Sequence, residues 1–240
     1  MAGQVERILF TKESLLGKED YDSHHFFYIF PDIERARTDL QTVLINFRLK
    51  HQLKAIVGIL GGADDLGPGQ RQLVREFLSG LGDFKVGILS GGTKGGLPQI
   101  AVEEAHLFGL PTIGVFPKDR RGIALLKELN LAIETPSPLV GDADFGTETP
   151  TLTRIPDAVV IIGGGVGTLT EVASILKRNK SLMKMGKLPV YLIPILGSGG
   201  VANYISTLPG IEDDRGSFPP NSINSGSGAA IFLRNRFLQN

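Results

Sequence analysis

Not one of the 240 residues is cysteine, and none is tryptophan. Without thiols there is no disulfide framework, no thiolate nucleophile and no Cys-ligated zinc. A chain of this kind suits the reducing cytosol. Neither sign of charge is in excess, since 25 Lys and Arg balance 25 Asp and Glu. A dedicated nucleic-acid or membrane surface needs a basic excess, so neither partner is expected. Histidine is scarce: His24 and His25 are adjacent and would point to opposite sides of a strand, and with His51 and His106 they show no metal-ligand spacing. Long apolar runs are missing too, none nearing the roughly 18 residues of a membrane helix. The opening MAGQVERILF lacks the pattern of a secretion signal. The expectation is a cytoplasmic protein without a metal centre.

Glycine is what the chain has in quantity, 31 residues, and its placement is regular. AIVGILGG (Ala55–Gly62), VGILSGG (Val86–Gly92) and DAVVIIGGG (Asp157–Gly165) each run from an apolar stretch into glycines and then into a helical pattern. PTIGVFP (Pro111–Pro117) and PVYLIPI (Pro189–Ile195) read as two more buried strands. Continuous apolar runs suit strands covered on both faces. Between them, Gln70–Leu81, Pro98–Phe108 and Thr168–Lys180 carry apolar stripes of helical period, and 199–208 suggests a last short helix. This alternation predicts an α/β fold, a Rossmann-like, doubly wound and mostly parallel sheet. Residues 1–54 add an aromatic patch, His24–Phe30, and a helix over about Ile33–Lys50, hence an N-terminal strand–helix extension. The expected division is 1–54 extension, 55–210 Rossmann-like domain, 211–240 linker and tail. The last ten residues, IFLRNRFLQN, leave docked strand and free tail both open.

In such sheets ligands bind beyond the carboxyl ends of the strands, where helix N-termini present unpaired N–H groups. Three glycine loops on one edge predict a crevice for a phosphate-bearing ligand, with Gly61, Gly62, Gly91, Gly92, Thr93, Lys94, Gly95, Gly96, Gly164, Gly165, Val166, Gly167 and Thr168 as candidates. The standard dinucleotide and Walker fingerprints fail. Thr168 stands where G-x-G-x-x-G needs its last glycine, and Lys94 comes two residues too early for a P-loop.

SGGTKGGLPQIAVEEA (Ser90–Ala105) and GGGVGTLTE (Gly163–Glu171), with GVFP (Gly114–Pro117) between them, resemble the motifs of the SLOG superfamily over about Ile56–Leu208. That group includes the LOG phosphoribohydrolases, often labelled lysine decarboxylases, and DprA-like nucleotide-binding proteins. The resemblance implies a homodimer, a phosphate on the loop Gly164–Thr168 and a catalytic carboxylate at Glu171, which would help hydrolyse a nucleoside 5′-monophosphate to base and ribose 5-phosphate. Two departures stand out. Gly163 replaces the signature proline, and Glu148 stands about where an arginine is expected, with Arg154 six positions on. Other branches sense ADP-ribose-like nucleotides or carry the molybdenum cofactor, and GGGxGTxxE without the proline is closer to the carrier and uncharacterised branches. Three functions therefore stay open: binding of a nucleotide-like phosphorylated ligand, phosphoribohydrolysis through Glu171, and carriage of a phosphorylated pterin-type cofactor. No cofactor is required by any of them, although Mg2+ could accompany the ligand phosphate.

Plainer roles compete for the same residues. Thr168-x-x-Glu171 reads as a capping box. Lys94 reads as a solvated loop lysine, and Glu103 and Glu104 as a solvated helix face. Asp64 and Asp65 read as ribose partners or turn residues, and Asp142, Asp144 and Glu148 as an exposed acidic loop or a divalent-ion site beside the ligand phosphate.

Overall fold

The computed structural model describes residues 10–11, 26–29, 33–63, 69–135 and 146–238. Its elements run β1 (Phe10–Thr11), β2 (Phe26–Ile29), α1 (Ile33–His51), β3 (Ala55–Gly61), α2 (Gln70–Leu81), β4 (Val86–Ser90), α3 (Gly96–Leu107), β5 (Thr112–Pro117), β6 (Leu131–Thr135), α4 (Thr149–Leu152), β7 (Ala158–Ile162), α5 (Val166–Lys184), β8 (Tyr191–Pro194) and α6 (Gly226–Leu238). Short 3-10 turns cover 118–123, 200–203, 205–207 and 212–217. The acidic positions Asp64, Asp65, Asp142 and Asp144 and the pair His24, His25 lie outside the described residues.

One sheet holds all eight strands in the order β1-β2-β6-β5-β4-β3-β7-β8. Every neighbouring pair is parallel except β1 with β2. From β3 the chain winds outward through β4, β5 and β6, then returns to place β7 on the other side of β3. The strand order therefore reverses between β3 and β7, where Gly61 is level with Ile162.

The uninterrupted apolar strands follow from cover on both faces. Ile56, Leu60, Val159 and Ile161 pack under Val43 and Phe47 of α1 and Val172, Ile175 and Leu176 of α5. Ala55, Val57, Ile59, Val160 and Ile162 face α2, α3 and α6 through Val74, Phe77, Leu78, Ala101 and Leu233. Neighbours along a strand belong to opposite cores, as its period of two requires. At the foot of the sheet one carboxylate ties three elements. Asp157 Oδ2 accepts from Arg48 of α1 at 2.6 Å and from the N–H of Ile56 at 2.7 Å.

The sequence reading departs from the structure at four places. LAIET, which is β6, was not expected as a strand, because it is short and ends in charge. It pairs with β5 on one side and with β2 on the other, so the N-terminal strand joins the sheet itself. The stretch 211–228 is not a linker. It holds the 3-10 turn, buried Asp214, Ser217 and Phe218, and the start of α6. The final segment is neither strand nor free tail but a helix on α2, close enough that a Cβ on Gly80 would lie 2.8 Å from Ala230 Cβ. Its β-rich wording is overridden by the small face Ala229, Ala230 that tertiary packing uses. Residues 199–208 form two short 3-10 turns rather than one helix.

Candidate functional site

At the β3/β7 switch point the glycine loops open into one cavity of about 310 Å3. Its described lining includes Gly61, Gly62 and Ala63 after β3, Gly91 and Thr93 after β4, Val115–Pro117 at the end of β5, and Gly165, Val166, Gly167 and Thr168 where α5 begins. Glu148 and Glu171 complete its polar surface. A doubly wound sheet places a ligand crevice at such a point.

The loops are held in shape by neighbours. Gly163 N–H donates to Ser198 Oγ at 2.9 Å, and the carbonyls of Gly163 and Gly164 accept from Ala202 and Val201. Gly164 itself sits at φ +94, and a Cβ there would lie 2.7 Å from the Thr168 side chain. Only glycine fits without strain. On the β4 side, Gly92 accepts from Leu125 and Lys94 N–H donates to Ile123. Gly92 also packs on Gly114, a Cβ reaching within 2.6 Å of its Cα at φ +63.

The two helices that start here differ at their N-termini. On α3, Gly95 N–H donates to the Gln99 side chain at 2.8 Å and Leu97 N–H to the Gly62 carbonyl at 2.9 Å. Those donors are spent within the protein. On α5, Gly165 is the N-cap and no side chain caps it. The first backbone N–H groups of a helix have no intrahelical acceptor, and the dipole adds about half a positive charge there. Gly165, Val166 and Gly167 are exposed in the cavity wall, at the uncapped start of the helix.

The capping box is therefore corrected. Because α5 starts at Val166 rather than Thr168, Thr168 lies within the first turn and Glu171 sits a turn too deep to reach the N-cap. Thr168 is buried at 3% exposure, beneath Gly164. Glu171 faces the cavity instead. Burial, and then the nearby negative charge of Glu148, push its carboxyl up to about 8. Glu148 is not exposed, as an acidic loop would be, but buried at 8%, with Oε2 accepting the Gly146 N–H at 2.8 Å. Arg154 is exposed and does not line the cavity, and no Lys or Arg appears among its described lining.

Of the candidates from the sequence, the structure brings Gly61, Gly62, Gly91, Thr93, Gly165, Val166, Gly167, Thr168 and Glu171 onto one cavity. Gly92, Lys94, Gly95, Gly96 and Gly164 shape the loops without lining it, and Lys94 is exposed outside. Ser90 and Ser198 escaped the sequence reading. Ser90 Oγ accepts from Gly92 N–H at 3.1 Å, and both serines act through backbone contacts that leave no pattern in the sequence. Glu104 is likewise corrected. It is fully buried between Arg71 and Arg75 of α2, at 2.8 and 2.9 Å, while Glu103 pairs with Arg71 at the rim. His51 and His106, distant in sequence, share a second cavity of about 210 Å3 at the opposite edge of the sheet. Among the described residues no three His, Cys, Asp or Glu side chains gather as a metal site, and no helix is long and apolar enough to cross a membrane.

Residues 54–197 match the model of the SLOG cluster4 family, more than half of the chain. The fold is shared with solved structures at low identity. The molybdenum cofactor carrier protein of Chlamydomonas reinhardtii is 22% identical, with a TM-score of 0.52 over 77% of this chain and 98% of that one. The molybdenum cofactor binding protein of the phototrophic bacterium Rippkaea orientalis is 19% identical, with a TM-score of 0.54 over 75% and 96%. The protein TM1055 is 20% identical, with a TM-score of 0.54 over 75% and 98%. No curated protein matches the chain. The chain belongs to the SLOG cluster4 family, which confirms the superfamily resemblance of the two glycine motifs.

Proposed function

We propose that this SLOG cluster4 protein binds a phosphorylated, nucleotide-like small molecule in the glycine-rich cavity, its phosphate on the amides of Gly165, Val166 and Gly167. One observation carries this reading. Three strand-to-helix loops converge on a single cavity at the switch point, and the α5 N-terminus lines it with the uncapped residues Gly165, Val166 and Gly167, whereas Gly95 and Leu97 at the α3 start donate within the protein. Glycines at that place let an anion approach the backbone, and the dipole favours it. The apolar wall of Ile59, Leu60, Val115 and Phe116 suits the flat face of a base or pterin. A pterin-type cargo is further suggested by the two molybdenum-cofactor proteins that share the fold.

A phosphoribohydrolase is the second reading, favoured by Glu171. A carboxyl that keeps its proton to about pH 8 can deliver it to a leaving base at neutral pH. Val166→Pro tests the binding site itself. Proline is tolerated in the first helical position and removes one N–H without disturbing the turn. Isothermal titration with a panel of nucleoside monophosphates should show about a tenfold or greater loss of affinity in the variant, with an unchanged far-ultraviolet spectrum. Equal affinity in variant and wild type would place the phosphate elsewhere. Chromatography of the same samples reads base release: release by wild type and not by Glu171→Gln supports the hydrolase.

A further inference from the structure

Every described charged side chain on the cavity wall is a carboxylate. Glu148 is buried at 8% exposure, tied to Gly146, and close enough to Glu171 to raise it. What can attract an anion here is the backbone of the α5 N-terminus, worth about half a charge. A phosphate monoester carries roughly 1.5 to 2 negative charges at neutral pH, with its second ionisation near pH 6, whereas a diester carries one. The amides can offset about half of a single charge. A second one would face Glu148 across a partly enclosed cavity with no cationic side chain in the described wall to screen it. Lys94 is exposed outside the lining, Arg154 is exposed away from it, and Arg178 donates to the Thr153 carbonyl.

We propose that Glu148 makes this cavity selective for a phosphodiester, or another phosphate bearing a single negative charge, over a terminal phosphate monoester. The proposal rests on the phosphate-binding reading above and narrows its ligand class. Glu148 acts as a charge filter: it leaves the apolar contacts of the ligand untouched and disfavours the second phosphate charge.

The test uses matched pairs, each of AMP, GMP, CMP and UMP against its own 5′-methyl phosphodiester, titrated calorimetrically at pH 7.5 in EDTA. For at least one base the methyl ester should bind wild type about tenfold or more tightly than the monoester. Glu148→Gln keeps an oxygen for the Gly146 N–H, and should bring that ratio to within about threefold by strengthening the monoester alone. A second arm needs no variant. At pH 5 the monoester is itself singly charged, so the wild-type ratio should collapse in the same way. Monoester binding equal to or tighter than the ester in wild type overturns the proposal, as does a ratio that neither Glu148→Gln nor pH 5 changes. Binding of no ester, no monophosphate and no inorganic phosphate to wild type overturns the phosphate reading, and the filter with it.

Discussion

Two glutamates sit in comparable places and have opposite fates. Glu104 lies on α3, after the glycine loop of β4; Glu171 lies on α5, after the glycine loop of β7. Glu104 is fully buried and Glu171 partly so. Glu104 meets two guanidiniums, whose hydrogen bonds outweigh the cost of its burial and hold its carboxyl below the ordinary range. Glu171 is pushed up to about 8 by burial and then by the charge of Glu148, with no cation in the described cavity wall. The first arrangement joins α2 to α3. The second leaves a carboxyl that is costly to ionise and faces the cavity.

The comparison is sharpest under mutation. Glu104→Ala strands Arg71 and Arg75 and opens a hole beneath them. Because both arginines are half exposed, the loss should be about 2–3 kcal/mol rather than the larger cost of a fully buried pair, read from urea unfolding. Glu171→Gln should do the reverse and stabilise the fold by about 1–2 kcal/mol at pH 8. A Glu171→Gln that unfolds more readily than wild type at pH 8 would mean the carboxylate supports the fold.

The two should also have opposite pH slopes. Glu171 binds its proton more tightly folded than unfolded, so its contribution is fully present below pH 4.5 and lost as pH rises through about 8. One such proton costs at most about 1.4 kcal/mol per pH unit across that window. Glu104, with a lowered folded value, contributes above the ordinary carboxylate pKa and loses that contribution as pH falls through its folded one. Thermal melts from pH 4.5 to 8 of wild type and Glu171→Gln should diverge steadily with pH, and parallel curves would contradict the assignment. The smallest effect belongs to the rim. Glu103 pairs with Arg71 where both are well exposed, so Glu103→Gln should cost under about 0.5 kcal/mol, less still in high salt.

The same pair shows what the sequence could and could not tell. Strand runs ending in glycine revealed the sheet, because burial on both faces writes continuous apolar stretches. The stripes of α2 and α5 gave their buried faces, as Val74, Phe77, Leu78, Val172 and Ile175 show. Glu104 was misjudged because its partners sit on another helix, 33 and 29 residues back. The plainer capping role that competed for Thr168 and Glu171 fails on a two-residue shift in the helix start, which is invisible when glycines precede it. Glu148 was visible as a reversed charge, but its burial depends on the turn at Gly146 and on packing around α4. The docking of α6 rests on small residues, Gly80 against Ala230, which carry no periodic signal of their own.

The most direct test of the phosphate site is an amide-resolved titration. Isotope-labelled protein would be followed by two-dimensional nitrogen–proton NMR as nucleoside monophosphates and their methyl esters are added. The predicted result is that the largest shifts fall on the amides of Gly165, Val166 and Gly167, with smaller ones at Gly62 and Gly91 and none at Gly95 or Leu97, whose donors are already engaged. Shifts centred on Gly95–Leu97, or on the cavity shared by His51 and His106, would contradict it.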